Sequence, residues 1–191
     1  MKALILAGGF GVRLRELVHG QPKHMAAING RPFLRRLVTM LIKRGIKEIV
    51  FAVGYLPQSI KDEFKEYCFS EDDRPMGTAG SLKNAQRFFK SDFLMINGDT
   101  YLDIDYQQVF QAHRTSGRLA TLVVNQEVSC GVYVFSPQIF DLIPEGTKYS
   151  LEKDLWPILL KQKQVNLFKT NQKFIDIGSP QGYAQALKEL K

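Results

Sequence analysis

The chain has 191 residues, 45% of them hydrophobic and 24% charged, ordinary values for a globular protein large enough to bury a core without disulfide or metal staples. Its formal net charge of +7 is unevenly spread: residues 1 to 50 hold ten Lys or Arg against two Asp or Glu, and the remainder sums to −1. That imbalance favours anionic small molecules; nucleic acid is not expected, because the cations do not interleave with aromatics and no helix-turn-helix or zinc spacing occurs, and no apolar run reaches the length of a membrane span.

The first stretch, Lys2 to Phe33, is the densest in chemistry. Ala3, Leu4, Ile5 and Leu6 make an apolar run typical of a strand covered on both faces of a parallel sheet. Because a core strand starts at once, no signal peptide is expected, and the expected location is cytoplasmic. Ala7-Gly8-Gly9-Phe10-Gly11 follows, a turn in which glycines let backbone N–H groups approach an anion. Arg13 and Arg15 supply planar charged forks and Lys23 a mobile point charge, a set suited to a polyphosphate. A dinucleotide fingerprint is absent because Leu14 stands where the third glycine would be, and no Gly-Lys-Ser/Thr of a Walker loop follows. Taken alone the turn is equally a plain tight turn; Arg13 and Lys23 favour the phosphate reading.

Pro32 to Arg44 carries apolar residues at helical spacing (Phe33, Leu34, Leu37, Met40, Leu41) and stops at Gly45. Ile46 to Val53 reads as a second buried strand, which completes a right-handed crossover unit of an α/β sheet. Gln58 to Tyr67 is expected to be a helix with Pro57 at its start and Lys61 on a solvated face. A short strand from Cys68, an acidic loop (Glu71, Asp72, Asp73) and a glycine pair then lead into a helix over Ser81 to Phe89. One of these carboxylates could accept two hydrogens from the edge of a ligand, but three in a row leave the register open; an acidic surface loop with a helix N-terminus at Gly77-Thr78 is an acceptable account of them individually.

Phe93 to Ile96 is a buried strand running into Asn97-Gly98-Asp99-Thr100. Asp99 sits where ligands collect in open α/β sheets, or else caps the next element. Asp103 and Asp105 are read as caps of a helix over Tyr106 to Thr115. Leu119 to Asn125 and Gly131 to Phe135 are strands joined by Gln126 to Cys130. Ser150 is the expected N-cap of a helix entered through Lys153 and Asp154, with Trp156, Leu159 and Leu160 as core. Asp176, between Ile175 and Ile177, packs poorly unless it caps or binds something. Gln181 to Lys191 closes the chain as a helix. Cys68 and Cys130, without metal-ligand spacing, are expected to be buried free thiols. The whole, residues 1–191, reads as one domain.

Three linked blocks carry a family resemblance: Leu6-Ala7-Gly8-Gly9-Phe10-Gly11-Val12-Arg13-Leu14, Gln21-Pro22-Lys23-His24-Met25, and Ile28-Asn29-Gly30-Arg31-Pro32-Phe33. Together they resemble the signature of sugar-1-phosphate nucleotidyltransferases, and within them the bacterial D-glycero-D-manno-heptose-1-phosphate and mannose-1-phosphate guanylyltransferases. The resemblance implies a Rossmann-like open mixed, mainly parallel sheet flanked by helices. It implies a nucleoside triphosphate, GTP by preference, and a sugar 1-phosphate of heptose or mannose type as substrates. Mg2+ is the implied cofactor, nucleotide-sugar biosynthesis for surface polysaccharide the implied role, and a homo-oligomer is compatible with it. Catalytic residues would be Arg13, Lys23, Asp99 and Asp176, with Asp99 and Asp176 as metal ligands. Leu6, Ala7, Gly8, Gly9, Gly11, Pro75, Gly77, Thr78 and Asn97 would line the nucleotide, and Gly131, Glu152 and Lys153 the sugar phosphate.

Departures are specific. Val12 replaces a usual threonine, His24 a usual proline, and Phe174 the aromatic before the second metal aspartate. His24 is read either as a phosphate ligand or, more simply, as a histidine tolerated at the surface. Ser129-Cys130-Gly131 stands for the family's Asn-Ala-Gly, and its Glu-Lys-Pro motif has no match. The expected reaction joins two anions, so positioning and cations dominate and no general base is required. The rival reading is a non-catalytic nucleotide or phosphosugar sensor with a weakened acceptor side; a molybdopterin-type transferase leaves Ile28 to Phe33 unexplained.

Overall fold

The computed structural model describes residues 1–9 and 20–190. In chain order its elements are β1 (Lys2–Leu6), β2 (Ala27–Ile28), β3 (Arg31–Pro32), α1 (Phe33–Lys43), β4 (Glu48–Val53), α2 (Pro57–Glu63), β5 (Cys68–Glu71), α3 (Gly77–Asn84), β6 (Phe93–Asn97) and β7 (Thr100–Tyr101). There follow α4 (Tyr106–Ser116), β8 (Ala120–Asn125), β9 (Val128–Phe135), α5 (Trp156–Lys161), β10 (Val165–Lys169), β11 (Ile175–Asp176) and α6 (Pro180–Glu189). Seven strands form a sheet in the order β10-β8-β9-β6-β1-β4-β5. All neighbours run parallel except β9, which is antiparallel to both β6 and β8. This is the open, mixed, mainly parallel sheet expected of the sequence.

Both faces of the sheet are covered, which is why β1, β4 and β6 are nearly continuous apolar runs. On one face α1 lays down Leu34, Leu37, Val38 and Leu41, and α4 adds Val109 and Phe110. On the other, Ala79 and Leu82 of α3 and Leu159 of α5 pack over Leu4, Val50 and Met95, with Phe93 stacked on Phe89 and Phe140 at 4.3 and 5.6 Å. A smaller third cluster joins the early ribbon β2–β3 to the chain's last elements through Ile28, Phe33, Ile175, Ile177 and Ala186.

Register aligns the carboxyl ends of four strands. Leu6 pairs with Ala52 of β4 and with Asn97 of β6, and Val53 pairs with Glu71 of β5. The residues that follow each strand, Ala7–Gly9, Gly54, Asp72 and Gly98–Asp99, therefore emerge along one edge, where open α/β sheets bind their ligands.

Several expectations need correction. α2 ends at Glu63 because Phe64 turns into the core against Phe51, 4.9 Å between centroids. Lys61 is not merely solvated but pairs with Glu71. α3 starts at Gly77 and stops at Asn84, followed by a 3-10 turn at Gln86–Phe88. Asp105 caps α4, accepting from Gln107 N and Gln108 N at 2.9 and 3.4 Å, whereas Asp103 pairs with Arg44 at 2.6 Å. β8 and β9 form a hairpin whose turn is only Gln126 and Glu127, at φ 47 and 66. Leu160 is 61% exposed while Leu159 is buried. Of the two thiols only Cys130 is buried, which pushes it up to about 11; Cys68 is exposed.

Candidate active site

The edge defined by the strand ends opens into a cleft of about 610 Å³ lined by Leu6, Gly8, Gly9, Lys23, Pro75, Gly77, Thr78, Asn97 and Asp99 among others. Ala7 instead lies in the core, its N–H donating to Ala52 O at 2.8 Å. Gly11 and Arg13 lie outside the described residues. Gly8 needs to be small: a Cβ there would sit 3.3 Å from Gly54 N and 3.4 Å from Val53 C. Gly9 faces Lys23, whose Nζ lies 3.9 Å from the same ideal position.

Lys23 comes from a 3-10 turn (Lys23–Met25) and its Nζ donates directly to Asp99 Oδ2. The two side chains are 19% and 13% exposed, so the pair is screened little by solvent. Burial alone would raise the Asp99 carboxyl; the Lys23 charge and its hydrogen bond, with help from the backbone, hold it below the usual carboxylate range. Gly98, just before it, has no room for a side chain, since a Cβ would meet Leu6 O at 2.7 Å and His24 Cδ2 at 2.9 Å.

The aspartates Asp99 and Asp176, far apart in sequence, are brought together by the ladder β7–β11. Thr100 pairs with Asp176, and Ile177 N donates to Asp99 O at 2.9 Å. An ideal Cβ on Gly178 would meet Asp176 Oδ1 at 2.8 Å and Asp99 Oδ2 at 3.2 Å, so the two carboxylate oxygens flank one point. Asp176 is exposed and accepts from Gly178 N at 2.7 Å.

At the other end of the cleft, Gly77 sits at φ 74, and a Cβ would collide with Tyr149 O at 2.5 Å. The same carbonyl accepts from Ala79 N and Gly80 N at 3.0 Å each, so two of the first N–H groups of α3 are already satisfied. Thr78 Oγ1 accepts from Leu151 N at 2.8 Å and donates to Glu152 Oε2 at 3.2 Å. Ser150 caps the following turn, accepting from Lys153 N at 3.2 Å, as its sequence suggested. Glu152 and Lys153 do not line the cleft. Gly131 lies behind Asn97, where at φ 66 a Cβ would stand 2.8 Å from both Asn97 Nδ2 and Thr100 Oγ1.

Sequence reasoning misjudged His24 and left Asp72 undistinguished. His24 is not a surface residue: it is 2% exposed, its Nδ1 is buried without a partner among the described residues, and burial, then the Lys23 charge, push its pKa down to about 4 against the opposing pull of Asp99. Asp72 lines the cleft and accepts from Ser81 Oγ and Asn84 Nδ2. Its only sequence signal was membership in an acidic triplet. Gly54, Leu56 and Lys148 also line the cleft and carried no signal.

Comparison with known proteins agrees with this geometry. Residues 2–129 match the model of the family described as Nucleotidyl transferase. The chain is 31% identical to D-glycero-alpha-D-manno-heptose 1-phosphate guanylyltransferase of Campylobacter jejuni, over 96% of this chain and 97% of the relative. It is 30% identical to mannose-1-phosphate guanyltransferase of Debaryomyces hansenii over 96% of this chain, and spans 62% of that fungal protein's length. The crystal structure of HddC from Yersinia pseudotuberculosis complexed with GMP-PN superposes with a TM-score of 0.85 at 27% identity, covering 100% of this chain and 99% of that one. UDP-glucose pyrophosphorylase of Acinetobacter baumannii, at 15% identity and a TM-score of 0.83, shares the fold. With its glycine turn, its convergent Lys23, Asp99 and Asp176, and a family match over most of its length, the chain belongs to the nucleotidyl transferase family.

Proposed function

We propose that this chain transfers a guanylyl group from GTP to a sugar 1-phosphate of mannose or heptose type, giving a GDP-sugar and pyrophosphate. The observation that carries the reading is the meeting of Lys23, Asp99 and Asp176 at the carboxyl edge of the sheet, beside Gly8 and Gly9. The named relatives supply the substrate classes. In the proposed reaction a sugar-phosphate oxygen, already ionised at neutral pH, attacks the α-phosphorus in line. The barrier is charge repulsion, which prepositioned cations and backbone donors reduce most effectively.

Lys23 carries the ammonium that neutralises charge shifting at the α-phosphate, and the N–H groups of the Gly8–Gly9 turn hold phosphate oxygens. Arg13 is assigned the leaving pyrophosphate on its sequence position. Asp99 and Asp176 would hold Mg2+. Asp99 Oδ2 and Asp176 Oδ1 both lie beside Gly178, and hard carboxylate oxygens suit that ion. No group of three or more His, Cys, Asp or Glu side chains among the described residues could complete a protein-only site, so substrate phosphates would fill it. When bound, the ion would neutralise phosphate charge. Lys23 Nζ, which donates to Asp99 Oδ2, would turn from that carboxylate to the α-phosphate. The proposed compartment is the cytoplasm, where nucleoside triphosphates are made; among the described residues no helix is long and apolar enough to cross a membrane.

Pyrophosphate release with each nucleoside triphosphate against mannose and heptose 1-phosphates tests the reading. Turnover with GTP and one of these sugars is expected. GTP binding without turnover on any pair would instead identify a nucleotide-binding paralogue, and turnover confined to another base would overturn the guanylyl assignment.

A further inference from the structure

Lys23 and Asp99 are 76 residues apart, and the fold sets their side chains face to face. Lys23 opens the 3-10 turn Lys23–Met25, which is closed by Ala26 N donating to Lys23 O at 3.1 Å. His24, the next residue, is buried with the edge of its ring over Gly98, the residue before Asp99; a Cβ on Gly98 would stand 2.9 Å from His24 Cδ2. That contact ties the two backbones together. Lys23 Nζ donates to Asp99 Oδ2 and lies 3.9 Å from the position of a Cβ on Gly9. The ammonium thus stands between the glycine turn, which is assigned phosphate, and the carboxylates, which are assigned the divalent ion.

The oxygen that Lys23 engages is the one on the side of the second acid. Asp99 Oδ2 and Asp176 Oδ1 lie 3.2 and 2.8 Å from the position of a Cβ on Gly178. Among the described residues no third His, Cys, Asp or Glu completes a metal site with them. Two carboxylates against one ammonium leave a single net negative charge, and the better buried of the two acids already has its cation. A divalent ion drawn to Asp99 Oδ2 would meet a like charge on the same oxygen, in a place where solvent screens little. A nucleoside triphosphate changes that balance. Its α-phosphate offers Lys23 another anion, and its phosphate oxygens supply the ligands that two carboxylates cannot.

We propose that Lys23 is a built-in lock on the divalent-ion position: its ammonium occupies Asp99 Oδ2 in the nucleotide-free chain, so that Asp99 accepts the ion together with a nucleoside triphosphate and not before it. This rests on the proposed function, in which Asp99 and Asp176 hold the ion. Binding of Mn2+, a paramagnetic stand-in for Mg2+, to the nucleotide-free chain tests it, read from the resonance of the free ion at one pH and ionic strength. The wild type should bind Mn2+ more weakly than about 1 mM, the weak end of protein sites for hard divalent ions. Lys23→Met removes the charge and keeps the length of the stem; it should bind Mn2+ about 10- to 1,000-fold more tightly, the range expected when one like charge is withdrawn from contact distance. Lys23→Arg, which keeps the charge, should bind as weakly as the wild type. Lys148→Met, which takes a charge from the same cleft but not from Asp99, should do the same.

Tight, saturable Mn2+ binding by the nucleotide-free wild type overturns the inference and needs no variant to show it. So does an unchanged affinity in Lys23→Met, or a gain matched by Lys148→Met, which would make the effect one of overall cleft charge. Pyrophosphate release by the wild type, with GTP and a sugar 1-phosphate, reports the transfer reaction separately: a locked site without turnover would overturn the transferase and keep the lock, and turnover by a chain that binds Mn2+ tightly without nucleotide would do the reverse.

Discussion

Asp99 is caught between two opposing physical effects. Desolvation favours its neutral form, and the adjacent Lys23 ammonium favours its charge and wins, leaving the carboxyl below its usual value. A carboxylate depressed by folding adds stability above its unfolded pKa, and that stability is lost as pH falls through the lower folded value. Asp99→Asn removes the charge but keeps the shape, so pyrophosphate release should fall about 10²- to 10³-fold, as when one preorganised electrostatic group is lost. It should also lower the thermal midpoint, since the largely buried Lys23 loses its partner. Asp176→Asn should cost similar activity with little change in melting, because Asp176 is exposed and, among the described residues, its side chain holds only Gly178 N. His24 supplies the pH dependence. Its pKa near 4 in the fold, against 6.5 in the unfolded chain, means that only the unfolded state takes up a proton as pH falls from 6.5 to 4. Stability is therefore full above pH 6.5 and declines through that window by about 3 kcal/mol. Melting curves across pH 4 to 7 should show this slope in the wild type and a flatter one in His24→Gln.

At the scale of elements, the cleft wall depends on a glycine that docks one segment against another. Gly77 begins α3 at positive φ with Tyr149 O filling the space a side chain would need. Gly77→Ala should destabilise the chain by about 2 kcal/mol or more and weaken nucleotide binding, as read by melting and equilibrium titration. The β8–β9 hairpin gives the opposite expectation. Gln126 and Glu127 both occupy the left-handed region, so the double change Gln126→Asn and Glu127→Gly should raise the unfolding free energy by about 0.5–1 kcal/mol in a denaturant titration. These same places show what a sequence conceals. Strands β1, β4 and β6 were legible because burial on both faces demands uninterrupted apolar runs, and α1 because its apolar stripe is complete and ends at Gly45. The start of α3 was left between Gly77-Thr78 and Ser81, because its first donors are satisfied by a carbonyl from a distant segment rather than by a local cap. The two strands of the hairpin were legible but the connection was taken too long, Gln126 to Cys130, because neither turn residue is Asn or Gly. Lys23 and Asp99 stood out by motif; Asp72 did not, since three adjacent acids look alike until α3 provides Ser81 and Asn84.

At the scale of the molecule, the candidate site is closed by the two ends of the chain. The glycine turn and Lys23 belong to the first quarter, whereas Asp176 arrives on β11, docked by a small core separate from the two that cover the sheet. That core is Ile28 and Phe33 from the beginning against Ile175, Ile177 and Ala186 from the end, reinforced by Asn29 Nδ2 donating to Leu190 O at 2.9 Å and Tyr183 Oη donating to Ala27 O at 2.9 Å. Ile177 is fully buried, and its N–H donates to Asp99 O, so it joins the apolar dock directly to the acidic pair. Ile177→Ala should therefore cost about 2–5 kcal/mol in stability, the range for removing a large aliphatic side chain from a core. Its functional signature should be selective. The nucleotide wall, built on β4, β5 and α3, lies outside this cluster, so GTP affinity should change little, while kcat falls because Asp176 loses its fixed approach to Asp99. Measured below the variant's melting midpoint, a large drop in kcat with an unchanged GTP dissociation constant is the expected pair of results; equal losses in both would mean that the end of the chain supports the whole cleft rather than one carboxylate.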